Sequence, residues 1–340
     1  MTAEPTKIVI SGGLPGGFPV TAFADRVQLV TAHTDDELRH AVSDAEVLFT
    51  WRVPEEVPAK TPDLRWIQLA SAGADHIRGL PVWGSDITIT AAQGMHTVPM
   101  AEHCMSLLLA LTRQLPALIR AQDRHQWIHN QRDLQFGELR GQTMGIVGWG
   151  KIGDGVAHLA RAFGMRIIGT RWSVIVPTEV SQSGIQGYSD EPWLEPVQSP
   201  PDIVYPSSQL HDVLSQSDVV VVILPLTPDT EGAFGDREFQ AMKPRALFLN
   251  IGRGRVVREE ALIASLQSGH LAGAGIDVFA REPLPRESRL WSIPNVIISP
   301  HVGGVSGMTL DRVARFFAVN LTRYLEGQPL LNEVQRDAGY

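Results

Sequence analysis

Three segments in the second half of the chain each carry a polar side chain suited to carbonyl chemistry. They read Leu249-Asn250-Ile251-Gly252-Arg253-Gly254, Asp277-Val278-Phe279-Ala280-Arg281-Glu282-Pro283 and Ser299-Pro300-His301-Val302-Gly303-Gly304. Arg253, flanked by glycines, can hold a carboxylate and polarise a neighbouring carbonyl. His301 is the natural proton donor near neutral pH. A carboxylate beside it favours the imidazolium, and Glu282 can supply one. Taken singly, each has a plainer reading, as a solvated charge or a structural histidine. Taken together they suit ketone reduction, which needs a proton donor, a grip on the substrate and a hydride donor.

A place for the hydride donor stands earlier in the chain. Gly148, Gly150 and Gly153 have the spacing G-x-G-x-x-G, follow an apolar run and open a helical pattern that begins with Lys151 and Ile152. In that context Gly148 allows a tight turn, Gly150 lets the backbone approach a pyrophosphate, and Gly153 packs helix on strand. The unpaired N–H groups of the helix start then face the phosphates. The competing reading is a glycine turn without a ligand. Between Asp154 and Glu179 there is no acidic residue to bind a ribose 2′-hydroxyl, and Arg171 stands where that acid is expected. A guanidinium there can pair with a 2′-phosphate, and Ser173 can add a hydroxyl. The expectation is NADP(H) in preference to NAD(H), against the alternative of an exposed arginine at a strand end. Asp154, close to the turn, is expected to complement the helix dipole.

The elements that must position these residues are legible from apolar runs. Strands are expected at 7–11, 45–50, 66–70 and 87–90, with a helical stretch at 34–43 between them. A long buried helix is expected over 98–115, with Thr97 near its start and Pro99 in its first turn. A second α/β block follows, with strands at 143–147, 166–170, 219–224, 246–250, 272–276 and 296–299, and helices at 151–163 and 259–268. The fold class is therefore α/β, with two Rossmann-like doubly wound domains and the active site expected in a cleft between them. The first domain is expected to hold 1–111 and 305–340, the second 112–304, because the amphipathic helix at 308–327 should pack back on the first. The Pro- and Ser-rich stretch 173–208 reads as a surface excursion of loop character.

Composition narrows the partners. The chain has 340 residues, 44% hydrophobic and 19% charged, with a formal net charge of −8. That length suits two domains, and an acidic balance argues against a nucleic-acid partner. The single cysteine, Cys104, suits a reducing compartment. The N-terminus lacks the pattern of a leader, and no apolar run is long enough to span a bilayer, so a cytoplasmic protein with no membrane partner is expected. His125 and His129 are four apart, but no third ligand is evident, and a surface helix is expected there rather than a metal. His103, on the long helix, reads as a buried packing residue.

The chain resembles the D-isomer-specific 2-hydroxyacid dehydrogenases, a family that includes glyoxylate/hydroxypyruvate reductases and phosphoglycerate dehydrogenases. The resemblance covers about residues 40–330 and rests on several motifs in order: Ser71-Ala72-Gly73-Ala74-Asp75, Met100-Ala101-Glu102-His103, the 148–153 glycine turn, Leu224-Pro225-Leu226-Thr227-Pro228-Asp229-Thr230, and the three segments above. It implies that Arg253 binds the substrate, that His301 is the acid/base and that Glu282 is its carboxylate partner. It implies that Asp277 holds the nicotinamide carboxamide and that Ala72, Gly73 and Ala74 bind the substrate carboxylate. Leu224, Pro225, Thr230 and Ile251 join the cofactor site. The implied substrate is a small 2-oxo or 2-hydroxy acid, and the implied assembly is a homodimer. Two alternatives stay open. One is a formate dehydrogenase on the same scaffold, which Glu282 counts against because that family carries Gln beside the histidine. The other is a non-catalytic, dinucleotide-sensing protein like the related corepressors.

Overall fold

A computed structural model describes residues 4–13, 16, 18–128, 134–171 and 200–337. Ser173 and His129 lie outside them. The described chain forms two compact units, one running to His96 and resuming at Ser306, the other running from Thr97 to Val305.

The first unit is a five-stranded parallel sheet built from β1 (Thr6–Ser11), β2 (Val27–Ala32), β3 (Val47–Thr50), β4 (Trp66–Leu69) and β5 (Thr88–Ala91), in the order β2-β1-β3-β4-β5. Its inner strands are largely apolar and buried because both faces are covered. Thr34 starts α1 (Asp35–Ala41) by accepting the Glu37 N–H, with three acids in the first turn to complement the helix dipole. The last helix, Thr309–Leu325, belongs to this unit: its Phe317 ring packs against Phe18, Phe49 and Trp66. Beneath these rings runs a buried polar chain. The Trp66 indole donates to Thr90 Oγ1 (2.8 Å), which donates to Gln68 Oε1 (2.8 Å). Asn320 of that last helix donates to the same oxygen (3.2 Å) and exchanges two bonds with Leu331.

The second unit is a seven-stranded parallel sheet in the order β12-β11-β10-β9-β6-β7-β8. Its strands are β6 (Thr143–Val147), β7 (Arg166–Arg171), β8 (Ile203–Pro206), β9 (Val219–Val222), β10 (Leu247–Asn250), β11 (Gly273–Ile276) and β12 (Val296–Ile298). The order reverses between β6 and β9, the switch point where open α/β sheets take ligands at the carboxyl ends of their strands. Helix α2 (Thr97–Thr112) groups with this unit rather than with residues 1–96, because it packs on α4 (Lys151–Ala162) and β11. A Cβ on Gly155 would come within 2.8 Å of Thr97, and one on Gly275 within 3.0 Å of Leu107. Among the described residues no helix is long and apolar enough to cross a membrane.

Two expectations are corrected. The helix expected over 98–115 stops at Thr112: Gln114 turns left-handed (φ 57°), and α3 (Leu115–Asp123) begins afresh with Pro116 in its first turn. A proline cannot continue the preceding helix, because it lacks the N–H and clashes one turn back. The end of the supposed loop 173–208 is a strand, β8, paired in parallel with β7. Ile203, Val204 and Tyr205 are strand formers, and Pro206 is tolerated because β8 is an edge strand.

Asn320 is fully buried. Its replacement by alanine strands the Leu331 N–H and removes one donor from Gln68, at about 1–3 kcal/mol per orphaned group. Asn320→Ala should lower the urea unfolding free energy by about 2 kcal/mol or more, and a wild-type midpoint would show the network to be dispensable.

Candidate active site

The carboxyl ends of neighbouring strands in the second unit gather the predicted residues. β6 ends at the glycine turn. Gly148 takes φ +97°, and a Cβ there would press against the Ile223 carbonyl carbon at 2.9 Å. Only glycine suits that backbone. Gly150 is different. Its backbone is extended, and a Cβ on it would meet nothing of the protein within 4 Å. Neither packing nor conformation demands glycine there; a ligand approaching the bare backbone would. Gly153 lies against Ile146 (3.4 Å), the expected helix–strand contact. No side chain caps the start of α4 at Gly150, and a helix start favours an anion. These features fit a dinucleotide pyrophosphate.

Burial lowers the Lys151 ammonium below its usual range. Arg171 ends β7 and is exposed, beside the glycine turn, since the Trp149 N–H donates to the Thr170 carbonyl (2.8 Å). Asp154 is more than a helix-dipole partner. Burial pushes its carboxyl up to about 6, against a hydrogen bond from Trp149 and the attraction of Arg171. Leu224 and Ile251 are buried, with Leu224 backbone atoms within 3.0 Å of where a Gly252 Cβ would stand. The Thr230 hydroxyl is also buried. It donates to the Pro225 carbonyl (2.6 Å) and accepts the Thr227 N–H (2.8 Å), so it shapes the 225–230 loop.

Arg253 sits in a loop that Asn250 ties from both sides, donating to the Arg253 carbonyl (3.1 Å) and accepting the Gly252 N–H (3.1 Å). The next residue, Gly254, lies flat on the following loop: a Cβ there would overlap the Phe279 carbonyl carbon at 1.9 Å. That contact clamps the Arg253 loop to the segment carrying Glu282. Glu282 Oε1 accepts the Phe279 N–H (3.0 Å), and its Oε2 accepts from His301 Nδ1 (2.7 Å). The pairing fixes the imidazole ring from its Nδ1 side, a geometry that can present Nε2 to a ligand.

His301 itself is left-handed, with φ 54°, which costs a residue with a Cβ about 1–2 kcal/mol. Asp277 holds it there. Its carbonyl accepts the His301 N–H (2.8 Å), and its carboxylate accepts the N–H groups of Val302 (3.0 Å) and Gly303 (2.9 Å) and the Ser299 hydroxyl. His103 of α2 completes the cluster, with Nε2 2.8 Å from Ser299 Oγ and 3.4 Å from Asp277 Oδ1. Both Asp277 oxygens are thus engaged by the protein. His103, expected as a buried packing residue, is instead part-exposed and hydrogen-bonded, and Ser299 has no role of its own in the sequence reading. The signal in the sequence is a histidine on a helix rich in Met, Leu and Ala.

In the first unit, Ala72, Gly73 and Ala74 follow the carboxyl end of β4, where Ser71 donates to the Gly73 carbonyl (2.8 Å). The adjacent β3 end carries Arg52, its N–H bound to Thr50 Oγ1 (3.1 Å). His125 falls past the end of α3, with φ 54°, and not on a helix face. Among the described residues no group of three His, Cys, Asp or Glu is placed to hold a metal.

Residues 105–190 and 191–303 match the family model for the D-isomer specific 2-hydroxyacid dehydrogenase, NAD binding domain. A glyoxylate reductase of Thermococcus gammatolerans is 32% identical over 299 residues, 86% of this chain and 83% of that protein. A D-3-phosphoglycerate dehydrogenase of Methanocaldococcus jannaschii is 29% identical over 312 residues, 91% of this chain; the match spans only 55% of that longer relative. The solved structure of an NADPH-dependent glyoxylate/hydroxypyruvate reductase from Sinorhizobium meliloti, in complex with NADP and sulfate, is 26% identical. It superposes with a TM-score of 0.79, covering 98% of this chain and 100% of the other.

Burial pushes the Asp277 carboxyl up, but the bonds from His103, Ser299, Gly303 and Val302 outweigh it and hold the group at about 2. A lowered carboxylate contributes stability above its unfolded value, near 3.9, and loses it as pH falls toward 2. The stability gap between wild type and Asp277→Asn should therefore shrink by about 2 kcal/mol from pH 5 to pH 2 in urea titrations. A gap independent of pH would contradict this account of the carboxylate.

Proposed function

The chain belongs to the D-isomer specific 2-hydroxyacid dehydrogenase family, and we propose that it is an NADP(H)-preferring reductase of a small 2-oxo acid. The observation that carries the reading is the His301–Glu282 pair at 2.7 Å, beside the Arg253 loop and in the same unit as the glycine turn. When bound, the reduced nicotinamide supplies a hydride to the carbonyl carbon. Glu282 orients His301 through Nδ1, and His301 gives the proton on Nε2 to the carbonyl oxygen, completing the alcohol. In the reverse direction the same nitrogen takes that proton back. The Arg253 guanidinium grips the substrate carboxylate and polarises the carbonyl. We assign the seven-stranded unit to the dinucleotide and the five-stranded unit to the substrate, through the backbone of Ala72, Gly73 and Ala74. Asp277, with Leu224, Pro225, Thr230 and Ile251, lines the cofactor side.

Preference for NADP(H) over NAD(H) is supported by Arg171, exposed next to the turn, where the sequence between Asp154 and Glu179 offers no acid to bind a ribose. Two further readings complete the proposal. Cys104 is buried, its thiol pushed up to about 12 by burial, and such a lone unreactive thiol suits a cytoplasm. Leu115, Leu118 and Ile119 of α3 are exposed together with Trp127 and Phe136, an apolar set suited to covering by a second copy in a homodimer.

The test is oxidation of NADPH and of NADH with glyoxylate, hydroxypyruvate and larger 2-oxo acids. His301→Ala should lower kcat about 100- to 10,000-fold. Arg171→Ala should lower kcat/KM for NADPH about 10- to 100-fold and leave NADH nearly unaffected, as expected for loss of a charge-assisted bond. Folded protein that turns over none of these acids would sink the proposal and favour the sensing alternative.

A further inference from the structure

We propose that His103 is a positioning residue for the reaction: through Ser299 it fixes the Asp277 carboxylate, which holds the backbone that carries His301. The proposal rests on the reading of His301 as acid/base. Proton bookkeeping gives the direction of the chain. Ser299 has one hydroxyl proton, and it goes to Asp277. The 2.8 Å contact between Ser299 Oγ and His103 Nε2 therefore requires the imidazole to donate. His103 thus presents N–H at Nε2 to an oxygen pair, the hydroxyl and, at 3.4 Å, the carboxylate itself.

That carboxylate has little freedom. It is 1% exposed, and a buried charge must be paired and hydrogen-bonded to be tolerated. Its remaining bonds go to the N–H groups of Val302 and Gly303, the two residues directly after His301. The left-handed turn at His301 is thus held from Asp277 on both sides, by the backbone bond before it and the carboxylate after it. The helix face bearing His103 is also the floor of this turn. A Cβ on Gly303 would meet Asp277 Oδ2 at 2.8 Å, His103 Cδ2 at 3.0 Å and Met100 Sδ at 3.1 Å. Removing the His103 donor leaves Ser299 free to rotate and the carboxylate short of one partner. The His301 backbone then loosens although no group touching the substrate has changed.

The experiment compares His103→Phe, which fills the space without donating, His103→Gln, whose side-chain amide can donate from a similar place, and Ser299→Ala. Amide hydrogen exchange in the cofactor-free chain is expected to quicken at least tenfold at Val302 and Gly303 in His103→Phe and Ser299→Ala, and to stay near wild type in His103→Gln. In turnover, His103→Phe should lose at least tenfold in kcat with the KM for the dinucleotide within about twofold, and His103→Gln should recover most of it. Unchanged exchange at the two amides in His103→Phe overturns the proposal, as does a His103→Gln variant no better than His103→Phe. A wild-type chain without turnover strikes the function reading alone, because the exchange is measured without substrate.

Discussion

The second unit is organised around one carboxylate that has nowhere to find water. Asp277 directly follows β11 inside the sheet's rim, and its charge survives there because four groups are arranged to meet it: a serine hydroxyl, a histidine on α2 and two backbone amides. An isolated buried carboxylate would cost far more than any one of these bonds returns, so the arrangement works as a set. From it follow the left-handed backbone of His301, the close seat of Gly303 on α2 and the position from which Glu282 reaches the imidazole. The His301–Glu282 pair is thus the outermost layer of a structure whose inner layer is electrostatic and buried.

The glycine turn and the Arg253 loop obey a different constraint, one of steric approach. Gly254 exists because the Phe279 carbonyl passes through the space a side chain would take. The strand ends of β10 and β11 are thereby pressed together, and Arg253 and Glu282 are delivered to the same rim. Steric contact sets where the loops run, and the buried charge sets how the histidine is held. Neither constraint replaces the other.

Much of this was legible in the sequence. The strands that proved central are four to six residues long and mostly apolar, as expected of parallel strands buried on both faces. The glycine spacing and the Arg, Glu and His segments stood at their ends. What escaped had physical reasons. The edge strand β8 is short and hidden among prolines, and β2 is half solvated, so neither presents a continuous apolar run. The break at Gln114 falls within a leucine-rich stretch whose helical period continues on both sides. The His103–Ser299 bond joins residues far apart in the chain, and no local pattern announces a contact made by folding alone. Asp154 looked like a helix-end acid because its two partners, Trp149 and Arg171, reach it only once β6, α4 and β7 are side by side.

The two glycines at 150 and 254 separate two demands that sequences usually blend. Any side chain at 254 would collide with the chain's own backbone, so a library sorted by thermal resistance would reject it at once. A methyl at 150 would stand in open space and pass the same sort untouched, yet on the proposed reading it would occupy the approach of a pyrophosphate. Selection for robustness alone would therefore drift at 150 while leaving 254 fixed. Only a screen that reads dinucleotide occupancy would tell the two glycines apart by function.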